Sequence, residues 1–176
     1  LRKLPDDEIF FPQVQTLMGI KPRQLRHLPK WYSIICRTPQ QLIAQLGTLR
    51  KVGDAPTRLI VLRKLMAQSP ANLDAVNLIA GFCADADESI ARIALRHLIR
   101  IDYIDLYHLL LRLTNSPHPS VRKLAAARVA PVGFEKYWDS WSRFDLNQRI
   151  AAGKALIKID PSFHVQLGEK LESDDS

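Results

Sequence analysis

Four stretches of the sequence fit one helical template, and that recurrence limits the folds open to the chain. They are Asp54/Arg58/Val61/Leu65, Asp87/Ala91/Ala94/Leu98, His118/Arg122/Ala125/Val129 and Asp145/Arg149/Ala152/Leu156. Positions 58, 91, 122 and 149 stand 33, 31 and 27 residues apart. A unit this short cannot bury its own apolar face, so successive units must stack to close a core. The template predicts helix pairs in a row rather than a closed globule.

The spacing of breaks and apolar positions supplies the elements. From Pro39 the first helices of each pair are expected over about 39–51, 71–84, 103–114 and 134–142, and the second over about 55–68, 88–101, 119–130 and 146–159. Between them lie Gly53-Asp54, Ser69-Pro70, Asp85-Ala86-Asp87, Ser116-Pro117-His118-Pro119, Pro131-Val132-Gly133 and Asp160-Pro161, the residues expected at helix ends. A last helix is expected over about 162–171, followed by an acidic, frayed tail over 172–176. Residues 1–38 do not fit the template. They predict a helical N-terminal cap, with helices over 6–19, 22–28 and 30–37, that covers the apolar end of residues 39–171.

Superposed at 100° per residue, the second helices place Val61/Ala94/Ala125/Ala152, Leu65/Leu98/Val129/Leu156 and Ile101/Val132/Ile159 on one side, which predicts the core stripe. Leu62/Leu95/Ala126/Gly153 and Met66/Ile99/Ala130/Ile157 widen that arc. Its width predicts contact with neighbouring pairs as well.

Several function classes find no residues to support them. The two cysteines, Cys36 and Cys83, sit inside apolar patterns and read as small buried hydrophobes, which suits a reducing, cytoplasmic compartment. No apolar run reaches the length of a membrane span. The five histidines are scattered, the seven glycines are isolated, and no nucleophile elbow or zinc-ligand spacing occurs. No cofactor, no metal and no catalytic residue is therefore expected. The opening on Leu1 without a signal-type apolar core suggests a fragment or a processed start.

The template resembles the HEAT-repeat family over residues 39–160, most clearly at Ser120-Val121-Arg122-Lys123-Leu124-Ala125-Ala126-Ala127 and Asp145-Leu146-Asn147-Gln148-Arg149-Ile150-Ala151-Ala152. The resemblance implies an all-α right-handed solenoid of about four helix pairs whose second helices line a concave face. It also implies a ladder of ion pairs between successive repeats, with Asp54, Asp87 and Asp145 as acids and Arg58, Arg122 and Arg149 as bases. Ala91 and His118 interrupt the ladder where Arg122 would reach back to Asp87.

Function is then sought on the polar arc that remains. It carries Arg63, Arg96 and Lys154 at one level, Arg100 and Lys158 at another, and Arg92 and Lys123 at a third. With a formal net charge of +7, such a face would attract an acidic protein segment or helix, and a solvated helix face is the bland alternative. Nucleic acid is the second candidate partner, although no aromatic interleaves the ridge. A cluster of Phe134, Tyr137, Trp138, Trp141 and Phe144 reads mainly as core. In residue type, Trp138, Asp139, Trp141 and Arg149 are similar to the cleft of HEAT-like DNA glycosylases, and HEAT-like bilin lyases share the architecture without a motif in common. The sequence is read as a non-catalytic binding scaffold rather than an enzyme.

Overall fold

The computed structural model describes residues 25–174, and these are all-helical: ten α-helices and one 3-10 turn, with no strand among the described residues. The expected helix over 6–19, most of that over 22–28 and the end of the acidic tail lie outside the described residues. Two compact units meet in sequence at Ile101 and Asp102.

The first unit contains α1 (Leu28–Ile35), α2 (Pro39–Val52), α3 (Ala55–Met66), α4 (Leu73–Phe82) and α5 (Glu88–Arg100). All of its helices but α1 begin where a side chain satisfies the first orphan N–H groups. Thr38, Asp54, Asn72 and Asp87 accept from the backbone N–H groups of Gln41, Thr57, Ala75, and Ser89 and Ile90 respectively. Helix α2 packs on α3 and α4, and α3 packs on α4 and α5. First helices thus touch first helices and second touch second. Between them Leu46, Leu49, Val61, Leu62, Phe82, Ala94, Leu95 and Leu98 have no exposed surface. Helix α5 is capped by Ile101 and followed by Asp102, whose φ of 50° is the left-handed conformation that closes many helix C-termini.

The second unit contains α6 (Leu106–Leu113), α7 (Pro119–Val129), α8 (Gly133–Asp139), a 3-10 turn (Trp141–Arg143), α9 (Leu146–Ile159) and α10 (Phe163–Asp174). Helix α9 begins with a capping box: Asp145 Oδ1 accepts from Gln148 N at 2.8 Å, and Gln148 Oε1 accepts from Asp145 N at 3.0 Å. Helices α6, α7, α8 and α10 all pack on α9. Here the expected helix over 134–142 breaks after Asp139, and the 3-10 turn lets Trp141 and Phe144 fold back onto Tyr137.

The core stripe falls where the pattern put it at two of its three levels, with Val61, Ala94, Ala125 and Ala152 all buried and Leu65, Leu98, Val129 and Leu156 likewise. At the third, Ile101, Val132 and Ile159 at the helix ends are only half-buried. The wider arc does not hold throughout. Met66 and Ile99 are half-buried, but Ala130 and Ile157 face solvent, so the apolar arc of the last two second helices is only partly covered. Cys83 is buried as expected, whereas Cys36 is only half-buried because it ends α1 as its C-cap.

Candidate functional site

The turns that lead into the second helices are held by the templated residues, in a different pairing from the ladder. Arg58 meets Asp85 side-on, with Nε donating to Oδ2 at 2.8 Å and Nη2 to Oδ1 at 3.0 Å. The Asp85 side chain is 4% exposed and also accepts from Asp87 N at 2.8 Å. The N-cap acids are otherwise engaged. Asp54 Oδ1 accepts from Thr57 N and Thr57 Oγ1, and its Oδ2 accepts from Arg26 Nη2 at 2.7 Å. The Arg26 guanidinium, then Thr57, hold the Asp54 carboxyl well below the usual carboxylate range. The Asp87 and Asp145 carboxylates cap α5 and α9. Arg122 directs Nη1 to the carbonyls of Ser116 and Pro117 at 2.7 and 3.0 Å.

A shared role emerges for the templated arginines. Each donates to the carbonyl five residues earlier: Arg58 to Gly53, Arg122 to Pro117 and Arg149 to Phe144. Arg149 Nε also donates to Trp141 O at 3.0 Å, and its guanidinium lies 4.4 Å over the Trp141 ring. The conserved spacing from N-cap to Arg within this chain is thus a staple on the preceding turn, because an Arg on the first turn of a helix reaches back over carbonyls that have no helical partner.

The cations assigned to the polar arc are exposed in both units. Arg63 on α3 and Arg92, Arg96 and Arg100 on α5 lie in the first; Lys123 on α7 and Lys154 and Lys158 on α9 lie in the second. None of the seven forms an ion pair among the described residues, and Lys158 makes one long contact, 3.4 Å, to Asn115 Oδ1. Arg100 Nη2 lies 3.0 Å from His97 Nδ1. A guanidinium can only donate, so His97 Nδ1 is the acceptor and carries no proton. Burial, then the Arg100 charge, pushes the His97 pKa down and favours that state.

The aromatic cluster turns its chemistry inward. Tyr137 is buried against Trp141, Phe144 and Phe163 at 5.6, 6.2 and 5.0 Å, and its hydroxyl donates to Arg149 O. Trp138 stacks on Phe134 and Trp141 at 6.3 and 5.7 Å, with Lys170 Nζ 5.9 Å from its ring. Of the four residues compared with a glycosylase cleft, Arg149 and Trp141 bind each other and the turn, and Asp139 is exposed at the end of α8. The sequence reading missed Asp85 and Arg26, because neither belongs to the helical template. It also missed an exposed aliphatic trio on α9, Leu146, Ile150 and Ile157, whose signal was already present as apolar residues outside the core stripe.

An open groove of about 460 Å³ lies between α2 and α4, lined by Arg50 and Lys51 of α2 and by Asp74 and Asn77 of α4. Among the described residues no group of three or more His, Cys, Asp or Glu is placed to hold a metal ion, and no helix is long and apolar enough to cross a membrane. Compared with models of known protein families, with curated proteins and with solved structures, the chain matches none of them.

Proposed function

We propose that this chain is a non-catalytic HEAT-like scaffold, a right-handed α-solenoid in a reducing, cytoplasmic setting, that binds an acidic segment of another protein through its second helices. One observation carries the reading. Helices α3, α5, α7 and α9 each hold three Lys or Arg, and the four together contain a single acid, Glu88. Apart from the turn-stapling arginines, the ridge cations are exposed and none forms an ion pair among the described residues, an arrangement whose self-repulsion a polyanionic partner would relieve. Contacts of α2 with α4 and of α3 with α5 support the stacked-pair architecture.

A protein partner is favoured over nucleic acid by the state of the aromatics. Trp138 and Trp141 are engaged by each other and by Lys170 and Arg149, so neither offers a free ring for base stacking. The test is charge reversal at Arg96, Arg100 and Lys154, all exposed, read by retention on immobilised polyglutamate, on heparin and on duplex DNA across a salt series. The triple variant is expected to lose polyglutamate retention and keep its helical circular dichroism. Unchanged retention would remove the proposal, and a steep loss of duplex affinity with salt in the wild type would move it to nucleic acid.

A further inference from the structure

The exposed face of α9 departs from that of α5 in a way that describes the partner. Five residues beyond the N-cap, α5 has Arg92 and α7 has Lys123, whereas α9 has Ile150. Leu146, Ile150 and Ile157 are 71%, 46% and 46% exposed. At 100° per residue they fall within about 40° of arc, a straight ridge roughly 16 Å long. Lys154 and Lys158 are exposed on the adjoining arc. Elsewhere on α9, Ala152, Gly153, Ala155 and Leu156 are buried. Single exposed aliphatics are ordinary, but three in line on one helix form a stripe that water disfavours.

We infer that α9 docks an acidic amphipathic helix of another protein, with apolar side chains on Leu146, Ile150 and Ile157 and carboxylates toward Lys154 and Lys158. The aliphatic ridge matches the one-turn and two-turn spacing of anchors on an amphipathic helix, and the flanking lysines supply the charge complement. Phosphates gain nothing from an aliphatic ridge, which separates this partner from nucleic acid. The inference rests on the protein-binding function proposed above and adds an apolar anchor to it.

The probe is a synthetic, dye-labelled peptide of about five helical turns, leucine on one face and glutamate on both flanks, followed by fluorescence anisotropy. Saturable binding is expected. Ile150→Ser with Ile157→Ser should weaken it at least tenfold without changing the circular dichroism, since both side chains are exposed. Lys154→Glu with Lys158→Glu should also weaken it at least tenfold. If the serine pair leaves affinity unchanged while the glutamate pair abolishes it, the apolar anchor is wrong and the charge-based function stands. Absence of saturable binding overturns the inference, while polyglutamate retention independently decides the function. Two further outcomes overturn it in favour of another occupant: binding to phosphatidylserine vesicles that the serine pair abolishes, or a concentration-dependent dimer that the serine pair dissolves.

Discussion

The two units hold their inter-helix turns with the same arginine position and with different chemistry. In the residues before Asp102, Arg58 couples a backbone staple to a bidentate pair with the nearly buried Asp85. In the residues after it, Arg122 and Arg149 hold carbonyls alone, and Arg149 adds a ring face, Trp141. The lesson is that position within a repeat fixes a local task, stapling a turn, while the environment fixes how much depends on it. A carboxylate with 4% exposure cannot fall back on water, whereas the carbonyls under the exposed Arg122 can.

Removing the arginine in each unit is the strongest way to break this comparison. Arg58→Ala takes the bidentate guanidinium away from the nearly buried Asp85 carboxylate, and should destabilise the first unit by about 3 kcal/mol. Arg122→Ala exposes its carbonyls to solvent and should cost about 1 kcal/mol or less. Hydrogen exchange resolved by segment would check both, with lost protection confined to α3–α5 in the first case. Equal losses for the two variants would show that the ion pair adds nothing to the staple.

That contrast also marks what the sequence made legible. The helices and most of the core stripe were readable because a period near 3.6 residues is a local property, and Val61, Ala94, Ala125 and Ala152 all occupy the buried face it indicates. The acid of the ion pair was not readable. Spacing along the chain pointed to the N-cap aspartates, but a carboxylate at that position is drawn first to the unpaired N–H groups of its own helix, as Asp54, Asp87 and Asp145 are. Asp85, in the turn between α4 and α5, meets Arg58 across 27 residues, a proximity created by the packing of α3 on α4 and α5. On the candidate surface, the exposed cations were legible as the arc left over from the core. The aliphatic trio of α9 was not, because an apolar residue next to a core stripe reads as more core until neighbours fail to cover it.

Glycine replacements sharpen the comparison at smaller cost. A Cβ on Gly133 would lie 2.8 Å from Cδ2 of Leu156, which is 1% exposed and has nowhere to go. Gly133→Ala should therefore destabilise the second unit by about 1–2 kcal/mol through overpacking. A Cβ on Gly81 would meet the Arg50 guanidinium, the mobile end of a long side chain resting 4.9 Å from the Phe82 ring. Gly81→Ala forfeits that cation–π contact, worth about 0.5–1 kcal/mol at a surface. It gains about the same from helix propensity, so thermal unfolding should shift little. A large loss at Gly81 would mean that Arg50 is fixed in place by more than the ring.

The smallest effect concerns two half-buried carboxylates whose pKa values are depressed for different reasons. Asp54 is held down first by the Arg26 guanidinium, and Asp160 by hydrogen bonds from Ser162 Oγ and N. In both cases the folded-state pKa lies below the unfolded value of about 3.9. Each therefore adds stability that is fully present above that pH and is lost as pH falls through the folded-state pKa. Salt separates the two. Screening weakens attraction between full charges far more than a hydrogen bond to a neutral hydroxyl, so carboxyl carbon NMR titration at low and high salt should show the Asp54 pKa rising with salt and that of Asp160 standing nearly still. Equal movement would show that Thr57 rather than Arg26 governs Asp54, and would leave the turn before α3 held by hydrogen bonding of the kind that holds the turn before α10.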